Sequence, residues 1–381
     1  MRVLHTSDWH VGRTIRGRSR ADEHAAVLSE VATIARREAV DVVLVTGDLF
    51  DTAAPSPEAE RLVYQALLDL ESTGATVVAI AGNHDNERRL QAVAPLFERG
   101  RVVVGAVPAR PDEGGVVRLT TAAGEHLDIG LVPFLSQRHA VRADLLMAGT
   151  EAEAVAAYDD RCRRVVGTLC AAMRPGAVRM VAAHLFVLGG RSGTSERVAH
   201  TALGYAVSPH SFPADLHYVA LGHLHRPQAV GQPTMRYAGS PLQLDFGEAG
   251  EAKSVALVEV TASTPALITE IPLTAGRGLR VVAGTLAELS TLAGTTGDAH
   301  IRAVVREPAR PGLAEEVRAL FEHVVEVAVE APTEEPGARR RRARAEGLTP
   351  VELVTAYCGA ANLEVTVVVP LFAELHEEAT G

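Results

Sequence analysis

Short apolar runs alternate with longer segments of helical periodicity along the first hundred residues. The apolar runs are RVLHTSD, DVVLVTGD and ATVVAIAGNHD, and residues 22–39 and 57–73 between them have the helical pattern. This alternation is typical of β-α-β units, whose strands form a sheet that is parallel at least in part. The pattern therefore predicts an α/β fold in the amino-terminal part of the chain.

Strand-like runs continue beyond residue 100. Residues 116–132 hold two of them around a glycine-containing turn, which predicts a hairpin, and a long helix is expected at about 151–173. Three further runs, VRMVAAH, LHYVALGH and MRYAGSP, predict a second group of strands, and KSVALVEV with ALITEIPL would then close the sheet system. This order predicts a layered β sandwich flanked by helices.

The alternation of strand and helix patterns begins again after TAGRG at residues 274–278, with shorter runs. We therefore expect two domains, residues 1–274 and a smaller α+β domain over residues 275–381, in a chain of 381 residues that can bury a substantial core. Residues 332–347 have loop composition and carry a dense arginine run, made of Arg339, Arg340, Arg341, Arg342 and Arg344. A solvated loop and contact with a phosphate backbone are equally good interpretations of this run.

Composition narrows the class of protein. With 47% hydrophobic and 22% charged residues the chain is expected to be globular rather than disordered. Polar residues close to the N-terminus and the lack of an apolar run of bilayer length predict a cytoplasmic protein. Cys162, Cys170 and Cys358 have no ligand spacing and are expected to be reduced, partly buried thiols. The net charge of -10 argues against a surface that is basic everywhere, although a local patch can still bind an anion.

Five apolar runs end in side chains that can bind a metal ion. In chain order these side chains are Asp8 and His10; Asp48 and Asp51; Asn83, His84 and Asp85; His184; and His223 and His225. Ligands bind beyond the carboxyl ends of strands in open α/β sheets, so these ends can converge on one crevice. Carboxylate, amide and imidazole donors without thiolate favour a transition metal over calcium. We expect Mn²⁺, with Fe²⁺, Zn²⁺ and Mg²⁺ as alternatives.

Charge indicates what such a centre acts on. Asp48 is the natural bridge between two ions roughly 3.5–4 Å apart. Two divalent ions with the carboxylates of Asp8 and Asp48 leave a centre that is cationic by about two units, which attracts an anion. Phosphate esters are the anions that two-metal sites hydrolyse. The sequence therefore predicts phosphoester hydrolysis.

The motifs at the strand ends, taken together, resemble those of a known protein family. The series SDWH, GDLFD, GNHD, a later isolated histidine and GHLH, over roughly residues 1–245, resembles the calcineurin-like metallophosphoesterases. Within that superfamily, HTSDWHVGR, TGDLFDTAAPSPEAE, AGNHDNERRL, GHLHRPQ and YAGSPLQLDFGE are most similar to the SbcD nuclease family. The resemblance implies the metallophosphoesterase fold, with the carboxy-terminal domain as a cap that positions DNA.

The resemblance also implies residue roles. One ion would be bound by Asp8, His10, Asp48 and His225. The other would be bound by Asp48, Asn83, His184 and His223. His84 would act near the leaving oxygen, as a proton donor or an electrostatic stabiliser, because the pKa of a histidine can be tuned close to neutral. The carboxylate of Asp51 could accept a hydrogen bond from His84 and fix its tautomer.

The implied activity is that of a metal-dependent DNA nuclease in DNA repair, recombination and replication. Members of the family act as 3′ to 5′ exonucleases on duplex ends and as endonucleases on single strands and hairpins, as homodimers with a coiled-coil ABC-type ATPase (SbcC). Two alternatives stay open, a small-molecule or cyclic-nucleotide phosphodiesterase and a non-catalytic scaffold. The first generally lacks such a second domain, and intact ligand positions disfavour the second.

Residues outside the ligand motifs carry further predictions. Four arginines leave the metal site on the loop after His10 and are expected to contact the DNA backbone: Arg13, Arg16, Arg18 and Arg20. Trp9 is expected to pack in the floor of the site, and His5 in the core. Asp85 is expected to cap the following helix.

Overall fold

The computed structural model describes residues 1–97, 100–121, 123–136, 151–193, 196, 205–330, 350–360 and 368–372. The chain divides into two compact units. The first comprises Met1–Val282, Leu292–Ala303 and Phe321–Glu326, and the second comprises Ala283–Thr291, Val304–Leu320 and Val327–Gly381. The arginine run at 339–344 lies outside the described residues, and the domain boundary near residue 275 stays a prediction.

A six-stranded sheet carries the amino-terminal motifs. Its strands are β1 (Arg2–Thr6), β4 (Val42–Thr46), β5 (Thr76–Ile80), β6 (Val102–Gly105), β15 (Ser254–Thr261) and β16 (Thr264–Pro272). The spatial order is β16-β15-β1-β4-β5-β6, in which β1, β4, β5 and β6 are parallel. Both faces of this sheet are buried, so its central strands are continuous apolar runs. Val3 and Leu44 face one core cluster, and Leu4 and Val43 face another.

A second six-stranded sheet holds the predicted hairpin and the runs VRMVAAH, LHYVALGH and MRYAGSP. Its strands are β7 (Val116–Thr120), β8 (His126–Val132), β9 (Val178–His184), β12 (Tyr218–Gly222), β13 (Gln228–Val230) and β14 (Gln232–Tyr237). The spatial order is β13-β14-β12-β9-β8-β7, with β8, β9, β12 and β14 parallel. Strands β7 and β8 pair antiparallel, which confirms the predicted hairpin.

The two sheets pack face to face and helices cover their outer faces. The cluster between the sheets joins Val78 and Ile80 of the first sheet to Ile129 and Met180 of the second. Helices α1 (Ala21–Arg37), α2 (Pro57–Glu71) and α3 (Glu87–Phe97) pack on the first sheet, and α4 (Glu151–Ala171) packs on the second. This arrangement confirms the predicted α/β sandwich flanked by helices.

Shorter elements complete the described chain. Small strand pairs are formed by β2 (Thr14–Ile15) with β3 (Arg18–Ser19), and by β10 (Phe186–Val187) with β11 (Ala206–Val207). A three-stranded sheet contains β17 (Leu279–Gly284), β18 (His300–Val305) and β19 (Val324–Val329). Three further helices are α5 (Leu286–Thr291), α6 (Leu313–Leu320) and α7 (Pro350–Ala360).

Two predictions made from the sequence can be compared with the structure. Cys162, Cys170 and Cys358 are free thiols and are buried. Among the helices that the structure describes, none combines the length and the apolarity that crossing a bilayer demands.

Candidate metal centre

The structure brings the side chains at the five strand ends together. Asp8 and His10 follow β1, Asp48 follows β4 and Asn83 follows β5, while His184 ends β9. His223 and His225 follow β12 in the second sheet. The carboxyl ends of strands from both sheets therefore supply one centre, as expected for a ligand site of an α/β fold.

Three overlapping groups of buried side chains offer donor atoms within 4.8 Å of one another. The groups are Asp8, His10 and His225; His10, Asp48 and His84; and Asp8, Asp48 and His184. Ligand atoms around one divalent ion lie about 3 Å apart, because each is roughly 2.1 Å from the ion. The spacing and the mixed oxygen and nitrogen donors of these groups therefore fit divalent metal ions.

The carboxylate of Asp48 lies between two sets of donors. Its Oδ2 atom is 3.5 Å from Nε2 of His10, and its Oδ1 atom is 3.6 Å from Nε2 of His184. On the first side, Nε2 of His10 and Nε2 of His225 are 3.1 Å apart. On the second side, Oδ1 of Asn83 lies 2.8 Å from Nε2 of His184 and 2.8 Å from Nδ1 of His223. This is the placement that a carboxylate bridging two ions requires.

Main-chain hydrogen bonds fix the two loops that carry the carboxylates. The amide nitrogen of Asp8 donates to the carbonyl of Gly47 at 3.0 Å, and that of His10 donates to the carbonyl of Asp48 at 3.0 Å. Asp8, His10 and Asp48 have φ angles of 51°, 47° and 50°, and His223 has a φ of 109°. Non-glycine residues with positive φ are strained by about 1–3 kcal/mol each and cluster at functional sites. Backbone strain therefore indicates a functional site here, independently of the donor atoms.

Two glycines allow the loops to approach each other. A Cβ atom on Gly82 would collide with the main chain and carboxylate of Asp48, and one on Gly222 would collide with the carbonyl of Thr46 and the ring of His184. The glycines of GNHD and GHLH therefore leave room for the side chains that form the centre.

Burial and charge set the protonation of the centre. Burial, with the charge of Asp48 beside it, raises the pKa of Asp8 well above its usual range. Burial would also raise the pKa of Asp48, but the facing rings of His184 and His10 hold it below its usual range. Burial lowers the pKa of His184, which keeps its imidazole neutral as a metal ligand must be. Two buried carboxylates side by side, with the neutral imidazole of His184 facing Asp48, fit a cation between them.

The position of His84 corrects one predicted contact. Its Nδ1 atom lies 2.6 Å from the main-chain carbonyl oxygen of Asp51, and its amide nitrogen donates to Oδ1 of Asp48 at 2.8 Å. The carboxylate of Asp51, which was predicted to accept from His84, instead lies 3.2 Å from Nη1 of Arg13 and 3.4 Å from Nδ1 of His10. Residue 51 thus contacts His84 through its backbone, because the loop after β4 turns its side chain toward His10.

Asp85 has a different role from the predicted helix cap. Its carboxylate accepts from the amides of Gly82, Leu49 and Phe50 at 2.8, 3.2 and 3.0 Å. Helix α3 is capped by Asn86, whose Oδ1 atom accepts from the two amides at residues 88 and 89. Burial and the charge of Asp48 raise the pKa of Asp85 to about 7. The prediction for Asp85 was therefore wrong: it ties the second motif loop to the third.

The four arginines after His10 differ in exposure. Arg13 is partly exposed beside Asp51, Arg16 pairs with Glu326, and Arg18 is exposed. The side chain of Arg20 is fully buried and donates to Glu23 at 2.7 Å and to the carbonyl of Gln243. Burial contradicts the prediction that Arg20 contacts DNA. It is a structural residue, and the prediction stands for the other three.

Two buried residues agree with their predicted roles in packing. Trp9 is fully buried, and its indole nitrogen donates to Oγ1 of Thr6 at 3.1 Å. The ring nitrogens of His5 lie 2.9 Å from the hydroxyl of Tyr218 and 2.8 Å from Oγ1 of Thr46. His5 is therefore a core histidine with both ring nitrogens bonded.

Sequence reasoning missed the groups that support the histidines. Nδ1 of His184 lies 2.8 Å from the carbonyl oxygen of Thr46, and Nδ1 of His225 lies 3.2 Å from Oε1 of Glu248. Oε1 of Glu196 accepts from the amide of His225 at 3.2 Å. Glu248 belongs to the stretch QLDFGEAGE, in which no ligand spacing or helical pattern signals a role. Only the folded chain places it behind His225.

Known proteins are similar to this chain in sequence. Residues 1–156 match the family described as calcineurin-like phosphoesterase. The protein named as the D subunit of the SbcCD nuclease in Bacillus subtilis (strain 168) is 40% identical over 285 residues, which cover 73% of this chain and 71% of that protein. A protein of the same name from Escherichia coli (strain K12) is 30% identical over 303 residues, covering 76% of this chain and 72% of that protein. Among solved structures, a dimetal phosphatase from Danio rerio superposes with a TM-score of 0.41 and 11% identity, covering 72% of this chain and 99% of that one.

Proposed function

This chain belongs to the SbcD family of nucleases, and from that premise we propose that it is a metal-dependent DNA nuclease whose two ions are bridged by Asp48. The observation that carries the proposal is the position of the Asp48 carboxylate. Its two oxygens face Nε2 of His10 and Nε2 of His184 at 3.5 and 3.6 Å. One carboxylate between two sets of donors is the arrangement that a two-metal hydrolytic centre requires, and phosphatases and nucleases are among the enzymes that use such a centre.

The ligand sets follow from this division. The first set is Asp8, His10, Asp48 and His225. The second set is Asp48, Asn83, His184 and His223. Oxygen and imidazole donors without thiolate suit Mn²⁺, which we propose as the resident metal. Two divalent ions held by these residues would supply an activated water and positive charge for the phosphate.

His84 is proposed to act on the leaving oxygen of the scissile bond. A main-chain carbonyl can only accept, so the carbonyl of Asp51 requires the proton of His84 to sit on Nδ1. When the ring is protonated, Nε2 also carries a hydrogen that it can donate to the leaving oxygen. The backbone of Asp51 and the contact between the His84 amide and Asp48 orient the ring for this step.

DNA is the proposed substrate, acted on as 3′ to 5′ exonuclease at duplex ends and as endonuclease on single strands and hairpins. Arg13, Arg16 and Arg18 extend the positive field of the centre and would contact backbone phosphates. The relatives' names make them subunits of SbcCD, which supports an SbcC-type ATPase as partner, and we propose a homodimer in that complex. Residues 275–381 would position the DNA. The cyclic-nucleotide phosphodiesterase is not favoured by these relatives.

Substrate choice tests this function. The purified chain is incubated with Mn²⁺, with and without its ATPase partner and ATP, and given linear duplex DNA, single-stranded circles, hairpins and cyclic AMP. We expect cleavage of DNA, and loss of every metal-dependent activity in Asp48→Ala. The matched control is Asp160→Ala, at a surface carboxylate on α4 that is 51% exposed, which should retain full activity. Cleavage of cyclic AMP with all DNA intact would overturn the nuclease assignment.

A further inference from the structure

One ring nitrogen of His225, Nδ1, faces a buried carboxylate. Its Nδ1 atom lies 3.2 Å from Oε1 of Glu248, and the two side chains are only 5% and 2% exposed. An ionised carboxylate only accepts, so Nδ1 donates its hydrogen to Glu248. The lone pair of the neutral ring is then on Nε2, the atom that lies 3.1 Å from Nε2 of His10. Glu248 therefore selects the tautomer in which His225 can bind metal.

Glu248 is held in this position through its other oxygen. Its Oε2 atom accepts from Nζ of Lys253 at 2.6 Å and from the amide of Leu244 at 3.1 Å. These two donors leave Oε1 directed at His225. One oxygen of Glu248 thus anchors the carboxylate, and the other contacts the ring of His225.

Lys253 connects this carboxylate to the main chain of His225. Its ammonium donates to the carbonyl of His225 at 3.0 Å and to Oγ of Ser240 at 3.1 Å, and its side chain is 5% exposed. The lysine therefore fixes both the backbone that carries the ring and the carboxylate behind the ring. A buried ion pair is often no more stable than apolar residues of the same size, so stability alone is a weak reason for placing one here.

The groups behind His184 and His225 differ in charge. Nδ1 of His184, in the second set, faces the neutral carbonyl oxygen of Thr46 at 2.8 Å. Nδ1 of His225, in the first set, faces a full negative charge. A carboxylate raises the basicity of an imidazole more than a carbonyl does, which strengthens its bond to a metal ion.

We propose that Glu248, anchored by Lys253, is a positioning residue that orients His225 and sets the metal affinity of the first ligand set without setting that of the second. This inference rests on the assignment of His225 as a metal ligand in the proposed function. Glu248 acts through His225 and has no part in the chemical step itself.

Metal binding to the full chain tests the proposal without any use of DNA cleavage. The chain is stripped of metal and titrated with Mn²⁺ alone, and free Mn²⁺ is followed by electron paramagnetic resonance. Wild type is expected to bind two ions. In Glu248→Gln one of the two should bind about 10- to 100-fold more weakly and the other should be unchanged, the usual size of an effect from a group behind a metal ligand.

A double-mutant cycle separates positioning from a general structural role. If Glu248 acts only through His225, Glu248→Gln should have no further effect on Mn²⁺ affinity in a His225→Ala background. Two controls accompany it. Glu251→Gln changes a carboxylate 3.6 Å from the same lysine, and Asp128→Asn changes a fully buried carboxylate that pairs with Arg174. Both controls should leave both Mn²⁺ affinities unchanged.

Each outcome bears on one claim. If Glu248→Gln leaves Lys253 unbalanced and the chain does not fold, the double variant Glu248→Gln with Lys253→Met, which removes both charges, carries the same test. If the wild type binds two ions and the folded variant binds both with unchanged affinity, only the proposed role of Glu248 is overturned. Weakening of both ions, or additive effects in the cycle, would also overturn it. Wild type that binds no Mn²⁺ would instead overturn the proposed function.

Discussion

Nδ1 of His84 lies 2.6 Å from the main-chain carbonyl oxygen of Asp51. The ring is thus oriented by a group that no side-chain substitution at residue 51 removes. The carboxylate of Asp51 faces Arg13 and His10 instead. We therefore expect the two residues to make separable contributions to turnover.

Substitutions at the two positions should differ in effect. We expect His84→Ala to lower the single-turnover rate of DNA cleavage by roughly 10²- to 10⁴-fold, the usual contribution of a general acid. Asp51→Asn should lower it much less at saturating Mn²⁺, because the carbonyl that orients the ring remains. Rapid-quench measurements at saturating Mn²⁺ compare the two variants. A loss in Asp51→Asn as large as that in His84→Ala would show that the carboxylate itself orients the ring.

Gly222 should tolerate no side chain. A methyl group there meets the carbonyl of Thr46 and the ring of His184, so we expect Gly222→Ala to lower the free energy of unfolding by about 1–3 kcal/mol and to weaken Mn²⁺ binding. The matched control is Gly167→Ala, since Gly167 lies in α4 and a Cβ atom there has nothing within 4 Å. Urea unfolding should find the control unchanged or up to about 1 kcal/mol more stable. Equal stability of both variants would contradict the close packing at Gly222.

Arg13 and Arg20 should separate DNA binding from stability. Arg13→Ala is expected to weaken DNA binding and to reduce the slope of log K against log salt concentration by about 1, with unfolding unchanged. Arg20→Met should instead destabilise the fold by about 3 kcal/mol, because it removes the buried guanidinium that donates to Glu23 and to the carbonyl of Gln243. Fluorescence anisotropy at several salt concentrations and urea unfolding measure the two effects. A salt slope left unchanged in Arg13→Ala would remove Arg13 from the DNA contact.

Glu23 should make stability depend on acid pH. Burial would raise its pKa, but hydrogen bonds from His300 and Arg20 lower it to about 2, from an ordinary value of 4.5. A carboxyl group with a lowered folded pKa stabilises the fold above its unfolded pKa, and this contribution is lost as the pH falls from 4.5 to 2. The contribution is at most about 3 kcal/mol. We expect urea midpoints of wild type and Glu23→Gln to differ at pH 6 and to converge toward pH 2, and a constant difference would contradict this.

The sequence predicts the ligand positions because they follow a regular rule. Apolar runs that end in polar residues predict parallel strands, and the ends of such strands meet, so Asp8, Asp48 and His184 could be brought together from the pattern alone. The sandwich itself follows from the number and order of these runs. Local pattern is therefore sufficient to predict that these side chains meet wherever a strand ends in a residue that can bind metal.

The remaining features depend on contacts between distant segments. Arg20 stands in a run of arginines that looks uniform, and only the packing of residues 243 and 277 around it shows that it is buried. Glu248 lies in a short 3₁₀ turn without periodicity. Lys253 is the single lysine among 37 basic residues, and no motif surrounds it in the sequence. The positive φ angles of Asp8 and Asp48 arise from the bonds between their two loops. The sequence around each of these residues therefore does not predict its burial, its contacts or its backbone conformation.

The most direct test of the Asp48 bridge is anomalous diffraction from crystals soaked in Mn²⁺. A bridged centre should give two anomalous peaks about 3.5–4 Å apart, with one oxygen of Asp48 on each, His10 and His225 at the first and His184 at the second. A single peak, or two peaks of which only one touches Asp48, would contradict the two-metal centre on which the proposed nuclease rests.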